Sequence, residues 1–272
     1  MNALRLLLTA VAAAMFLPGA GFAADTVSPW VEETGFRMRL SAGPAAGDGT
    51  LGAGIELHLG EGWKTYWLNP GPNGIPPRID FTGSENLAKA EALWPAPARI
   101  ADGDAEAAGY TGILVVPVTV TPKDPAKPVA LKLHIDFGMC EKICVPASAD
   151  LKLELVPGAK PQAMAAALIE GFKSRVPKPA KLGREGELAV TAIARTSESL
   201  GVSVRFPEKA KTRDLFARAE GVALPLPKLN SPGSYSIRLK PGSTPAKIEL
   251  VAVADGEAIA VPIALDLPAA KP

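Results

Sequence analysis

Cysteine and histidine are nearly missing from these 272 residues, with two of each. Two cysteines cannot supply a disulfide framework, so hydrophobic burial has to hold the fold. Zinc is disfavoured, since a structural site wants four ligands. The histidines, His58 and His134, fall at outward-facing strand positions and read as exposed strand residues. No Ser-His-Asp pattern, phosphate-binding glycine loop or paired-carboxylate arrangement stands out. Charge of one sign is lacking too: 29 Lys and Arg face 28 Asp and Glu, a net charge of +1. A nucleic-acid binder carries a basic excess, so that class is set aside, as is electrostatic docking on anionic lipid. Long hydrophobic runs are also absent. The apolar stretch from Leu6 to Leu17 falls short of the ~20 residues a spanning helix needs.

That short stretch is informative. Asn2 and Arg5 precede it, and Pro18, Gly19 and Gly21-Phe-Ala-Ala24 follow. A basic start, a short apolar core and a small-x-small site describe a secretory signal peptide over residues 1–23, cleaved after Ala23. No cysteine follows to take a lipid. The mature chain is expected to be exported, soluble, uncharged overall and without a membrane span.

In an oxidising compartment two close thiols should form a disulfide. Cys140 and Cys144 lie in Phe137-Gly-Met-Cys-Glu-Lys-Ile-Cys-Val-Pro146. A bridge over so short a loop stabilises by roughly 2 kcal/mol in the chain-entropy model, against about 4.7 for a hundred-residue loop. The pair therefore reads as chemistry more than reinforcement. A hairpin tip at Gly138 to Cys144 would bring the Cα atoms within the roughly 4.4–6.8 Å that a disulfide requires. Pro146 stiffens the exit. Lys142 favours a thiolate and Glu141 opposes it. The spacing differs from that of a thioredoxin site, and no helix follows to activate a thiol, so the pair suits a relay better than an oxidant. A second reading joins both thiolates to the Met139 thioether as a soft set for Cu(I). Met139 filling an apolar gap is the alternative.

Alternation organises the rest. Phe36, Met38 and Leu40 alternate with polar neighbours, as do Leu131, Leu133, Ile135 and Phe137, and Leu151, Leu153 and Leu155. Period two with polar outward positions means half-buried antiparallel strands. Gly and Pro punctuate them as in a sandwich. After Gly158 the period changes: Met164, Leu168 and Phe172 fall at helical spacing, and the helix ends before Pro177. Val176-Pro-Lys-Pro-Ala-Lys181 reads as a stiff linker, and strand alternation then returns. The chain is expected to be all-β. Residues 24–157 form a sandwich carrying the cysteines, 158–181 an amphipathic helix and linker, and 182–272 a second sandwich without Trp, Cys or His. Trp63, Tyr66 and Trp67 are too crowded to share one strand face. They are expected either to pack the core and sheet edge or to wall the disulfide. Arg99 to Tyr110 reads as a mobile loop or lid.

These residues resemble a family. Phe137-Gly-Met-Cys-Glu-Lys-Ile-Cys-Val-Pro-Ala147, with Gly62-Trp-Lys-Thr-Tyr-Trp and Asn69-Pro-Gly upstream, is similar to the periplasmic N-terminal region of the DsbD/ScsB thiol:disulfide interchange proteins. Gly74-Ile-Pro-Pro-Arg78, Ser84-Glu-Asn-Leu87 and Trp94-Pro-Ala-Pro97 resemble the ScsB-type branch. The resemblance spans about Pro29 to Pro157. It implies two immunoglobulin-like sandwiches joined by the helix, and a protein-disulfide reductase relay component in the periplasm. Cys140 and Cys144 would be the redox pair, with Cys144 exchanging and Cys140 resolving. Trp63, Tyr66, Trp67, Tyr110 and Pro146 would surround them. Thioredoxin-fold proteins would be the acceptors. Because neither the family's membrane conduit nor its thioredoxin-like domain occurs in the sequence, a separate membrane donor is expected. No cofactor is called for. The Arg99–Tyr110 loop lacks the Phe that caps the pair in the better-known branch. Copper tolerance and an inert structural disulfide remain the alternatives.

Overall fold

Alternating strands leave one apolar face each, and two such faces closed on one another make a layer pair. The computed structural model describes residues 25–265 apart from 46, 48, 197 and 240–244, so the expected signal peptide lies outside the described residues. The chain is built from β-sheets and a single described helix, in an all-β, immunoglobulin-like arrangement. One sheet orders the strands Val31–Glu33, Phe36–Gly43, Leu51–Leu59, Ile113–Pro122 and Leu87–Ala92. The facing sheet orders Cys144–Leu155, Val129–Cys140, Lys64–Tyr66, Ala105–Thr111 and Ala98–Asp102, and Arg78–Asp80 also pairs with Val129–Cys140. The alternating residues meet between them: Met38, Leu40, Leu131, Leu133 and Leu151 are buried, and Phe36 packs edge-on to Phe137 at 5.1 Å. Outward positions such as His134 and Asp136 are exposed.

Strand Leu51–Leu59 departs from alternation, because its centre is buried on both faces. Helix Ala163–Lys173 covers the outer face of that sheet and buries Ala165, Ile169 and Phe172. The expected helical face was Met164, Leu168 and Phe172, yet Met164 is 72% exposed. The reason lies beneath the helix. A Cβ on Gly54 would stand 2.6 Å from Ile169 Cγ1, and one on Gly43 would stand 3.1 Å from Ile169 Cδ1. The two glycines leave a groove that Ile169 fills, so Ala165 and Ile169 join Phe172 beneath the helix, Leu168 stays half-buried and Met164 is left in solvent.

Beyond the helix a second sheet pair has its own core, including Leu200, Val202, Leu215, Ile237, Leu250 and Val261. One of its sheets orders Lys178–Pro179, Glu257–Ala264, Lys247–Ala254 and Arg213–Arg218; the other orders Ala189–Arg195, Ser199–Arg205, Ser234–Arg238 and Lys228–Ser231. The expected linker is therefore partly a strand, since Lys178 and Pro179 pair in parallel with Ile259 and Ala260. Phe216, Val251 and Ala258 leave the second core and join the first. Among the described residues no helix is long and apolar enough to cross a membrane.

Candidate functional site

Val129–Cys140 and Cys144–Leu155 form an antiparallel hairpin whose last paired residues are Cys140 and Cys144. Their sulfurs are bonded and their Cα atoms lie 4.0 Å apart, closer than the expected range. Glu141, Lys142 and Ile143 form the exposed tip. The two sulfurs occupy different settings because their strands do. Val129–Cys140 lies inside the sheet, where Cys140 also pairs with Lys64, and Cys140 is 2% exposed. Cys144 lies on the sheet's edge strand and is exposed. Exposed Ile143, Val145 and Ile75 surround this end of the molecule with apolar side chains.

Cys140 packs with Tyr66, Ala107 and Ile100 in a small cluster separate from the main core. The close approach of Tyr66 depends on Gly138, where a Cβ would stand 2.7 Å from the Tyr66 ring. The Tyr66 hydroxyl lies 3.0 Å from Cys144 Sγ and donates toward the Asp102 carboxylate at 3.1 and 3.2 Å. Burial first, then the Asp102 charge and its hydrogen bond, push the Tyr66 phenol well above its ordinary pKa. It stays a neutral donor throughout the physiological range. Asp102 Oδ1 lies 3.5 Å from Cys140 Sγ and 3.7 Å from Cys144 Sγ, and the Asp102 side chain is only 7% exposed. Lys64 Nζ balances it from 3.4 Å while donating to the Ala101 carbonyl.

Arg99 to Tyr110 is thus no open loop. Ala98–Asp102 and Ala105–Thr111 pair as a hairpin with Gly103 at positive φ in its turn. In place of an aromatic cap it delivers a carboxylate. Of the expected surround, Tyr66 alone touches a sulfur. Trp63 packs over Gly35, where a Cβ would meet its ring at 2.5 Å. Trp67 is buried against Phe216, and Tyr110 is buried with its hydroxyl donating to the Pro95 carbonyl at 2.7 Å. Pro146 is exposed, opposite Gly138 in the hairpin. Met139 points into the main core, on the other face of the strand from Cys140, so the thioether expected in a Cu(I) set lies away from the sulfurs. The third donor beside them is Asp102, whose ligand atom lies within 4.8 Å of both. The histidines are engaged elsewhere, His58 with Glu56 and Arg37, and His134 with Asp150 and Asp136.

Asp102 and Lys64 are the functional candidates that sequence reasoning passed over. A local signal existed for one of them. Asp102-Gly103-Asp104 between short alternating runs is a hairpin turn, but only the sheet order shows that its end meets the cysteines.

Residues 33–155 match the family model described as the N-terminal domain of the thiol:disulfide interchange protein DsbD. Nine chains of solved structures match. Among them is the N-terminal periplasmic domain of ScsB from Proteus mirabilis, at 17% identity and a TM-score of 0.69, covering 90% of this chain and 100% of that one. At that identity the likeness shows a shared fold. No curated protein sequence matches.

Proposed function

We propose that the protein is a periplasmic thiol–disulfide exchange module acting through Cys140 and Cys144, a reading supported by the match of residues 33–155 to the DsbD N-terminal family model. The observation that carries this reading is the asymmetry of the pair: one sulfur is exposed, and the other is buried against a carboxylate. An exposed sulfur is the one a partner can reach, and a buried one is kept for the internal step.

Starting from the reduced pair, the Cys144 thiolate attacks a partner disulfide. One partner sulfur leaves and takes up a proton, and a mixed disulfide forms. The Tyr66 hydroxyl, which donates to Asp102 in the bridged state, is placed to turn its proton to the Cys144 sulfur while that sulfur carries charge. The Cys140 thiol must then ionise, which burial opposes. Asp102 Oδ1, 3.5 Å away, is placed to accept its proton. Cys140 attacks Cys144 Sγ and closes the internal bridge, and the second partner sulfur leaves and regains the proton. Two electrons pass to the partner, one disulfide replaces another, and no cofactor takes part.

Ile143, Val145 and Ile75 offer an apolar rim for docking. We take thioredoxin-fold proteins as the acceptors and a membrane-embedded family member as the donor, with an N-terminal signal peptide directing export. The Cu(I) alternative loses support because Met139 is packed in the core. The test is stoichiometric transfer. Reduced protein mixed with an oxidised thioredoxin should close Cys140–Cys144 while two partner thiols appear. Unchanged thiol counts on both sides would refute the reading.

A further inference from the structure

Each of the two side chains that build the redox site sits three residues from an anchor on the second β-unit. Arg99, three residues before Asp102, grips Asp214 through Nε at 3.0 Å and Nη2 at 2.8 Å, and Nη2 also donates to the Pro227 carbonyl at 3.1 Å. Asn69, three residues after Tyr66, is 4% exposed. Its Nδ2 donates to the carbonyls of Ala217 at 2.7 Å and Leu224 at 3.1 Å, and its Oδ1 accepts from Leu224 N at 3.1 Å. Between the anchors, Phe216 meets the Trp67 ring edge-on at 6.1 Å and the Arg99 guanidinium at 5.8 Å. Asp214, Phe216 and Ala217 all belong to one strand, Arg213–Arg218.

The geometry explains why such anchors matter. Ala98–Asp102 is the edge strand of its sheet, bonded to one neighbour, and Asp102 is its last residue before the turn. A spacing of three on a strand puts Arg99 and Asp102 on opposite faces. The strand is therefore held from behind while it presents the carboxylate to the sulfurs in front. Forked Arg–carboxylate pairs fix direction as well as distance.

We propose that the second β-unit is a positioning clamp for the redox site, with Arg99, Asp214 and Asn69 as positioning residues that hold Asp102 and Tyr66 at the cysteine pair. The inference rests on reading Cys140–Cys144 as an exchanging pair. Its consequence is that residues remote from the sulfurs set the pH dependence of the thiols. The groups facing that pair are Asp102 from the hairpin, Tyr66 and Lys64 from the neighbouring strand, and Glu141 and Lys142 from the tip.

The test uses the full chain with its pair reduced, and reads the rate of alkylation by iodoacetamide against pH. Asp102→Asn removes the carboxylate that disfavours the thiolate, so its profile moves to lower pH. Asp214→Asn should move the profile the same way by a smaller amount, with alkylation at neutral pH about threefold faster, equivalent to half a pH unit. Placed in the Asp102→Asn background, Asp214→Asn should add nothing. A wild-type profile for Asp214→Asn, or an equal effect in both backgrounds, would overturn the clamp. Asn69→Ala keeps the Arg99–Asp214 pair and provides an independent variant should Asp214→Asn fail to fold. It should also move the profile, and a profile identical to wild type counts against the clamp. Exchange of the wild-type pair with oxidised glutathione is measured alongside. Its failure would refute the redox reading, whereas exchange together with silent anchor variants would refute the clamp alone.

Discussion

Replacing Asp102 by Asn keeps the side chain's size and removes its charge. Asp102 Oδ1 stands 3.7 Å from Cys144 Sγ. At that separation a carboxylate opposes a thiolate by about 1 kcal/mol at the dielectric of water, and by about 4.5 kcal/mol at an effective value of ~20. Cys144 is exposed, and Lys64 Nζ lies 3.4 Å from the same oxygen, so the low end applies. About 1 kcal/mol is roughly a fivefold change in thiolate population at neutral pH. Freeing Lys64 acts in the same direction. Alkylation of the reduced Asp102→Asn variant by iodoacetamide should therefore be about fivefold to tenfold faster than wild type at neutral pH. The buried sulfur should respond in the opposite sense, because Cys140 loses its proton acceptor. A mixed disulfide on Cys144 should then resolve more slowly than in wild type, as followed by quench and mass spectrometry. Slower alkylation, or unchanged alkylation together with unchanged resolution, would refute the role assigned to Asp102.

Tyr66→Phe should move the alkylation profile the other way. A hydrogen bond to a charged group contributes about 1.5–3 kcal/mol, and its loss at Cys144 should slow neutral-pH alkylation by about tenfold or more; a faster rate would contradict the donor role. Tyr110→Phe leaves the Pro95 carbonyl without its 2.7 Å donor and should cost about 1–3 kcal/mol in a denaturant titration; an unchanged midpoint would count against it. His134 is raised from its ordinary pKa chiefly by its hydrogen bond to Asp150, which outweighs the opposing effect of desolvation, and further by the charges of Asp150 and Asp136 and the hydrogen bond to Asp136. A raised folded-state pKa adds stability below the unfolded value of about 6.5, and that stability is lost as pH rises through the folded value. His134→Gln should therefore be less stable than wild type near pH ~5.5 and equal to it near pH ~8; an equal deficit at both would refute the assignment.

Much of the fold was legible because one physical rule wrote it. Each strand from Phe36 to Leu40 and from Leu131 to Phe137 has one face in the core, so period two shows directly in the residues. The rule failed where a second layer covers the outer face. Glycines at 43 and 54 draw Ile169 inward, and Met164 is left in solvent. Composition misled at Arg99–Tyr110, where small and charged residues suggested a loop. Ala107 and Ala108 are small because they pack closely within a sheet, and Gly109 is forced, since a Cβ there would meet the Thr65 carbonyl at 2.2 Å. At the site the cysteines announced themselves, but their surround did not. Trp63, Trp67 and Tyr110 carry more apolar area than Asp102 and so went to the core. A carboxylate thirty-eight residues from Cys140 becomes a neighbour only through sheet order, which alternation does not encode.

The central claim is an exchanging pair with distinct roles, and trapping of partner thiols by single-cysteine variants tests it most directly. Cys140→Ala leaves the exposed sulfur without its resolving partner and should accumulate a mixed disulfide with an oxidised thioredoxin-fold protein. Cys144→Ala leaves only the buried sulfur, 2% exposed in the intact pair, and should trap little. Equal trapping by both variants, or by neither, would contradict the account.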